Sequence, residues 1–447
     1  MDSRERSFDP TRPIFQIGSS RAADWLLAGN AALTAGRYDE AEANYRRAIE
    51  MRPAFAQAWT NLGTTYQERG DLVAALECHR RAVEIDSNFI DGLYNLANAF
   101  KEADDALAAI AAFEKTLRIK PDFAQAHLNY GLALLTAGRL EEAWPHYEAR
   151  FLCGQPKPRA FDRPRWDGVA RYDSTLLVHW EQGWGDVIMF SRYLPLLKQS
   201  TNMRIVVEVP RKLMKLLSCV PGVDEWIADG DALPEFDAFV PMLSLPFVFK
   251  TGLHSIPASC IRGNRDDQRH ERIRRWINER VGGRSQAKRI GIAWQGDPTY
   301  RFDRSRSIPL KAFKLLGDRN DVRLISLQKG LGTEQLQDTR LGFTVADFSS
   351  ELDCGPDAFM DTAALMQQLD LVVTPDTAVA HLAGSLGIRT WLCLSRPAHW
   401  VWLTERSDSP WYPTIRVFRQ EQPGDWSNVF AKLTAELDHA GVDALNR

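Results

Sequence analysis

The sequence lacks the features of disulfide-bonded, zinc-binding and membrane-spanning proteins. Its six cysteines are widely scattered and form no Cys-x-x-Cys pair, which fits neither a zinc ligand set nor a disulfide framework. The richest apolar run, residues 238–249, is cut by Pro241 and Pro246, and residues 1–17 carry Asp, Arg and Pro in place of an apolar signal core. These absences predict a cytoplasmic protein with no export signal and no transmembrane segment.

Acidic and basic residues are nearly balanced. The chain of 447 residues has 55 Lys and Arg against 58 Asp and Glu, and this net charge of −3 argues against general nucleic-acid binding or a basic membrane surface. A hydrophobic content of 45% is that of an ordinary globular protein, and the length predicts two or three domains. No Asp-x-Asp pair stands in a clear loop context, so neither a metal nor a cofactor is indicated.

A period of 34 residues runs through the N-terminal third. It aligns two columns of mostly small residues, one column of alanines and one of bulky side chains. The columns are Gly29, Gly63, Ala97 and Gly131; Gly36, Gly70, Asp104 and Gly138; Ala41, Ala75, Ala109 and Ala143; and Tyr45, His79, Phe113 and Tyr147. Small residues let paired helices approach closely and bulky ones fill the space between repeats, so the pattern predicts stacked helix pairs.

This pattern resembles the tetratricopeptide repeat, with about four copies over residues 22–152 behind a flexible segment, residues 1–21. The resemblance implies an α-solenoid whose groove, lined by the first helix of each repeat, takes a protein or peptide partner or docks onto the rest of this chain. Asn61, Asn95 and Asn129 recur on that helix, and in this family such an asparagine often holds the backbone of an extended peptide. The alternative is a solvated polar position on each helix.

Two series of apolar strands follow the repeats. Residues 153–172 are rich in Pro, Arg and Gly and break the period, which predicts a linker. Strands then alternate with helical or loop spans over residues 173–285 and 286–447. The predicted strands are 176–180, 205–209, 225–228 and 237–241, and then 289–295, 322–327, 344–347, 371–373, 390–394 and 415–418. This alternation predicts two doubly wound, parallel α/β domains with a ligand cleft between their facing loops.

The turn after the first predicted strand contains Gly183, Gly185 and Asp186. The third glycine of a dinucleotide-binding motif is missing, and no acidic residue is well placed after the next strand, which argues against a dehydrogenase. Asp186 has two interpretations. It caps the helix that follows, or it projects into the cleft as a general base beside a substrate hydroxyl.

Residues 370–387 read as a strand, a turn and a helix of small residues. Asp376 and Thr377 lie where the turn becomes the helix, so they either cap its free N–H groups or leave these groups to bind an anion. The polar loop after Gly296 holds three arginines, Arg301, Arg304 and Arg306. Arginines and a helix N-terminus can together stabilise a diphosphate leaving group without a metal.

The segments EQGWGDVIMFSRYLPLL, RSIPLKAF and PDTAVAHLAGSLG resemble the heptosyltransferase branch of the GT-B glycosyltransferases. The layout is similar to that of O-linked N-acetylglucosamine transferases and of repeat-bearing flagellin glycosyltransferases. The resemblance implies that Asp186 is the base and that Arg306 replaces a lysine facing the donor phosphate. The other candidate donor-binding residues are Gln295, Gly296, Asp376, Thr377, Ala378, Val379 and His381. Ala378 stands where the family has glycine, so the backbone approaches a phosphate less closely.

Two features near the C-terminus have alternative interpretations. His381 orients the turn or touches the donor, or it is a buried histidine whose hydrogen bonds are satisfied. Four aromatic residues gather in one short span, Trp400, Trp402, Trp411 and Tyr412. They stack on a sugar or a nucleobase, or they pack against the neighbouring domain, and packing is the favoured interpretation.

The sequence thus predicts an inverting, metal-independent glycosyltransferase. It would move a sugar from a nucleotide-sugar co-substrate to a hydroxyl of a protein acceptor recruited by the repeats. The alternatives are a scaffold protein whose transferase half is inactive, and a transferase acting on a lipid-linked glycan.

Overall fold

A computed structural model of the chain describes residues 21–154, 156–261, 266–283, 287–299 and 303–439. Within these ranges, no helix combines the length and the apolar content that crossing a lipid bilayer requires. The chain forms two compact units, Met1–Asp122 and Phe123–Arg447. The predicted flexible segment, residues 1–21, lies outside the described residues except for Arg21, which begins the first helix.

The first unit is built of helix pairs. Its helices are α1 Arg21–Thr34, α2 Tyr38–Met51, α3 Ala56–Arg69, α4 Leu72–Ile85, α5 Ile90–Glu102 and α6 Ala106–Ile119. The ring of Tyr45 lies against Gly29 and that of His79 against Gly63, so closely that a side-chain carbon at either glycine would overlap the ring. The glycines of the first small-residue column therefore make room for the rings of the bulky column, as the period predicted.

The second small-residue column lies between the two helices of each pair. Gly36 and Gly70 have φ angles of 72° and 84°, and Asp104 takes the same left-handed conformation at 63°. Glycine adopts this conformation without strain and aspartate tolerates it, so the first helix ends there. The carboxylates of Asp71 and Asp105 then cap the second helix of their pairs.

The second unit begins with one more helix pair and a short 3-10 turn. These elements are α7 Ala124–Thr136, α8 Leu140–Tyr147 and the turn Glu148–Phe151. Most of the predicted linker then runs beside the first sheet. The Trp166 N–H donates to the Phe239 carbonyl at 2.8 Å, and the Phe239 N–H donates to the Pro164 carbonyl at 3.2 Å. The linker is thus packed on the edge of that sheet.

The first sheet has four parallel strands in the order β3-β2-β1-β4. They are β1 Thr175–His179, β2 Arg204–Val209, β3 Glu225–Ala228 and β4 Ala238–Pro241. Its helices are α9 Trp184–Phe190, α10 Tyr193–Thr201, α11 Met214–Leu217 and α12 Leu245–Val248. Because β1 has β2 on one side and β4 on the other, the chain changes its direction of growth beside β1. The loop after β1 is therefore at the crevice where α/β sheets bind ligands.

The second sheet has six parallel strands in the order β10-β9-β8-β5-β6-β7. They are β5 Lys288–Ile292, β6 Val322–Ser326, β7 Val345–Ala346, β8 Leu371–Pro375, β9 Thr390–Leu394 and β10 Ile415–Arg419. Its helices are α13 Asp267–Val281, α14 Asp303–Arg306, α15 Lys314–Gly317, α16 Met360–Met366, α17 Ala378–Ser385 and α18 Ser427–His439. The direction of growth changes between β5 and β8, so the loops after these two strands flank the crevice.

The two sheets belong to one compact unit and their elements touch. Arg192, which precedes α10, donates to the Trp411 carbonyl at 2.8 Å. Ser259 donates to the carbonyl of Ser385, at the end of α17, at 3.1 Å. Every predicted strand corresponds to an observed one, and the prediction of two parallel α/β sheets behind a helical repeat array is confirmed.

Candidate functional site

Asp186 lies in the first turn of α9, just after the loop that follows β1 at the carboxyl edge of the first sheet. The N–H of Gly183 donates to Asp186 Oδ2 at 3.0 Å, so Asp186 caps its own helix. The second carboxylate oxygen, Oδ1, accepts no hydrogen bond from the described residues. The capping interpretation is confirmed, and it leaves one oxygen for a substrate hydroxyl, as a general base requires.

The surroundings of Asp186 favour its protonated form. Burial raises the pKa of this carboxyl above its ordinary value, and the carboxylates of Asp376 and Glu181 raise the pKa further. The imidazole of His399 and the Gly183 N–H oppose this shift without cancelling it. A carboxylate with a raised pKa is a stronger base than an exposed aspartate.

The turn between β8 and α17 forms the side of the crevice opposite Asp186. Thr377 is the N-cap residue of α17, yet its side chain makes no capping hydrogen bond. Its hydroxyl instead lies 3.4 Å from the Thr374 hydroxyl. Ala378 and Val379 are half-buried in the first turn of the helix. Thr377 therefore does not cap α17, and the binding of an anion by the first N–H groups of this helix stays a prediction.

Arg306 is held beside this turn. Its Nη1 donates to the Asp376 carbonyl at 2.7 Å, and its Nε pairs with Asp303 Oδ1 at 3.0 Å. The structure thus brings Arg306 and the turn together, as predicted. Of the other two arginines in the loop, Arg304 is exposed and Arg301 lies outside the described residues.

Gln295 and Gly296 shape the loop that leads to Arg306. A side-chain carbon at Gly296 would overlap Asp303 and Arg306, so a larger residue there would displace these two side chains. The side-chain oxygen of Gln295 accepts from Gln335 Nε2 at 3.3 Å. Gln295 is thereby bound to the 3-10 turn Thr333–Gln337, which follows β6, and Gly296 provides the space in which the arginine lies.

His381 lies on α17 and contacts α9, on the opposite side of the crevice. Its ring is buried, its Nδ1 lies 3.0 Å from the Tyr412 hydroxyl, and its Cδ2 edge faces Gly185, where a side-chain carbon would come within 2.8 Å. Burial lowers the pKa of His381 from 6.5 to about 4, so the ring is neutral at neutral pH. This placement matches the buried-histidine interpretation, and Gly185 lets α9 approach α17 closely.

The aromatic cluster is part of the core. The side chains of Trp400, Trp402, Trp411 and Tyr412 are all buried. Trp411 lies edge-on to Phe190, and Arg192 lies over the rings of Trp411 and Tyr412. The packing interpretation is confirmed, because these rings join the two sheets.

The three asparagines of the repeats occupy different surroundings. Asn61 on α3 is buried, donates to Asn30 Oδ1 at 2.7 Å and accepts from Gln57 at 3.0 Å. Asn95 on α5 and Asn129 on α7 are half-buried, and Asn129 belongs to the second unit. Asn61 therefore already has partners within its unit.

The patterns in the sequence did not identify several residues that lie near Asp186. Glu181 and Gln182 contact Arg150 and Tyr147, which end the helix pair α7–α8. A signal for Arg150 exists in the 34-residue period, because its column otherwise contains Ala48, Ala82 and Thr116. A large charged residue in a buried column of small ones indicates a changed role. For His399, in contrast, no periodic signal exists.

Comparisons with known proteins match the repeats and, more widely, most of the chain. A family model for the tetratricopeptide repeat matches residues 26–88 and 94–151. Over 347 residues the chain is 25% identical to Protein FlbA of Caulobacter vibrioides. That alignment covers 68% of this chain and 53% of FlbA, so the chain spans about half the length of this curated relative.

Two solved structures are also similar to parts of the chain. The chain is similar to a family 9 glycosyl transferase of Veillonella parvula, with 14% identity and a TM-score of 0.43, over 62% of this chain and 94% of that one. It is also similar to MamA, with 24% identity and a TM-score of 0.28, over 29% of this chain and 77% of that one. Residues that match the tetratricopeptide repeat model are thus followed in this chain by a region with two parallel α/β sheets.

Proposed function

We propose that this chain is a glycosyltransferase that moves a sugar from a nucleotide-sugar donor to a hydroxyl of an acceptor, by a single inverting displacement and without a metal. One observation carries the proposal. The loops of two parallel sheets bring a carboxylate of raised pKa, Asp186, to the same crevice as an arginine and an uncapped helix N-terminus, Arg306 and α17.

The second sheet supplies the donor side in this proposal. The positive end of the α17 dipole and the guanidinium of Arg306 both favour a diphosphate. The Asp376 carbonyl and the Asp303 carboxylate fix that guanidinium beside the helix start. Ala378 lies within α17, in a helical conformation that alanine adopts without strain. The alanine in place of glycine is therefore compatible with donor binding.

The reaction then has two coupled parts. Asp186 Oδ1 takes the proton of the acceptor hydroxyl while the hydroxyl oxygen forms a bond to the anomeric carbon of the sugar. The bond from that carbon to the donor phosphate breaks, and its electron pair leaves with the nucleoside diphosphate. Arg306 and the first N–H groups of α17 stabilise the charge that develops on the leaving phosphate.

Replacing the base tests the proposal. Asp186→Asn keeps the size of the side chain and removes its basicity, so transfer from the best donor in a panel of nucleotide sugars should fall about 10²- to 10⁴-fold. Asp229→Asn, at an exposed carboxylate of the same sheet, is the control and should transfer at the wild-type rate. Because burial raises the pKa of Asp186, the acidic limb of the wild-type rate profile should lie above the ordinary aspartate range. An Asp186→Asn enzyme with wild-type turnover would remove Asp186 from this role.

We further propose that the acceptor is a protein or peptide held by the repeats. The support is the repeats themselves and the half-buried amide of Asn95 on a first helix. Asn95→Ala should lower transfer to a protein acceptor and leave hydrolysis of the donor unchanged, whereas Asn88→Ala, in an exposed turn, should change neither. If both variants transferred sugar equally well to a glycan acceptor, the proposal of a protein acceptor would be refuted.

A further inference from the structure

We infer that the helix pair α7–α8 is a positioning element of the active site, which fixes the loop 181–186 through Arg150 and Tyr147 and thereby orients Asp186. The inference rests on the proposed function, in which Asp186 is the base. It concerns residues that belong to the repeat pattern by sequence and to the sheet-containing unit by structure.

Arg150 holds the first residue of the loop. Its side chain is 1% exposed, and its Nη2 donates to Glu181 Oε1 at 2.8 Å and to Ser244 Oγ at 2.7 Å. Its Nη1 donates to Glu148 Oε1 at 2.5 Å. The guanidinium also lies over the ring of Tyr147, 4.6 Å from the centroid. A buried arginine with this many partners has one position, so Glu181 is fixed with it.

Tyr147 holds the second residue. Gln182 Nε2 donates to the Tyr147 hydroxyl at 3.1 Å. Gln182 has a φ of 63°, a left-handed conformation that is unfavourable for a non-glycine residue and persists only where contacts impose it. This strained residue precedes Gly183, whose N–H binds Asp186. The hydroxyl of Tyr147 therefore acts on the conformation that sets the position of the carboxylate.

The helix pair is itself anchored to both sheets. Trp144 Nε1 donates to the Thr251 carbonyl at 2.8 Å, on the side of the first sheet. The ring of Trp144 also lies edge-on to Trp400, 5.9 Å away, in the loop after β9. Because the anchor touches both sides of the crevice, it can hold the loop in a constant position relative to the donor side.

The experiment compares two tyrosines of one repeat column in the full chain. Tyr147→Phe removes the hydroxyl that binds Gln182, and Tyr45→Phe removes the corresponding hydroxyl of the first repeat, which binds Asn30. Hydrogen exchange of the backbone amides of residues 181–190 should become at least several-fold faster in Tyr147→Phe and stay unchanged in Tyr45→Phe. The kcat for transfer should fall about tenfold in Tyr147→Phe, with the KM for the donor unchanged.

A double variant shows whether Tyr147 acts through Gln182. Adding Gln182→Ala to Tyr147→Phe should lower kcat no further than the larger single effect, because one interaction is lost in both. Unchanged exchange in Tyr147→Phe would overturn the inference, whatever the activity. If the wild-type protein transfers no sugar from any donor, the proposed function fails, and the exchange measurement still decides whether the helix pair positions the loop.

Discussion

The third and fourth helix pairs, α5–α6 and α7–α8, follow the same 34-residue pattern and use it for different purposes. In the third pair, Phe113 and Thr116 are buried, and the Thr116 hydroxyl donates to a carbonyl of its own helix. In the fourth, Tyr147 and Arg150 occupy these two columns and bind residues of the loop that carries Asp186. The fourth pair belongs to the sheet-containing unit, and the side chains in its two buried columns bind outside the pair, whereas Thr116 binds within its own helix.

The largest effect is expected from comparing two truncations, one that keeps the fourth helix pair and one that removes it. Removal of residues 1–122 leaves the second unit whole and should give a folded protein. Removal of residues 1–152 deletes Arg150 and leaves Glu181 buried without its cation, so this form should be insoluble or fail to unfold cooperatively. Soluble yield and thermal unfolding of the two truncations measure the result. Equal behaviour would show that the fourth pair is dispensable.

A smaller effect is expected from two substitutions in one column. Arg150→Ala leaves a buried carboxylate unpaired and should lower the free energy of unfolding by about 3–5 kcal/mol. Thr116→Ala removes a hydroxyl that binds within its own helix and should cost about 1 kcal/mol. Chemical denaturation of both variants provides the comparison. Losses of the same size would mean that Arg150 is only a packing residue.

The sequence could predict the elements because their signals are local. The glycine column predicted close helix pairs, and alternation of apolar segments predicted ten strands, all of which are present. The strand, turn and helix at residues 370–387 and its approach to Arg306 were also anticipated. For the elements themselves neighbouring residues along the chain carry the information, whereas the approach to Arg306 was expected from the cleft between two parallel sheets.

The contacts between distant segments could not be predicted in this way. Nothing local joins Arg150 to Glu181 or His381 to Gly185, because each pair depends on how separate elements pack. The division of the chain between Asp122 and Phe123 has the same origin, since α7–α8 looks like a repeat from its own sequence. The end of the repeat array at residue 152 therefore stays a prediction from the 34-residue period.

A third prediction compares buried histidines of the two units. Burial lowers the pKa of both His79 and His381 to about 4, whereas an unfolded histidine titrates near 6.5. Between these values the unfolded chain binds protons that the folded chain does not, so stability falls as the pH falls. From pH 7 to pH 5 each histidine should contribute a loss of about 2 kcal/mol.

Urea unfolding at the two pH values measures this loss. His381→Gln should reduce the pH dependence of the transition of the second unit and leave that of the first unit unchanged, and His79→Gln should do the reverse. A pH dependence unaffected by either substitution would show that the neutral rings do not control it.

The smallest effect concerns helix caps. Asp105 accepts the N–H of Ala108 at 3.0 Å, whereas the matching position of the fourth pair is Arg139, which pairs with Glu142 on the surface. Asp105→Ala should lower stability by about 1 kcal/mol and Arg139→Ala by less, because exposed ion pairs contribute little. Thermal unfolding distinguishes the two. A larger loss at Arg139 would reverse this order.

The most direct test of the two-walled site is calorimetric titration with nucleoside diphosphates. Wild-type protein and Asp186→Asn should bind one of them with similar affinity, because the role proposed for Asp186 is to take a proton from the acceptor. Arg306→Gln should bind it at least tenfold more weakly, because the charge beside α17 is lost. Equal binding by wild type and Arg306→Gln, or no binding to wild type as an inert scaffold requires, would contradict the account.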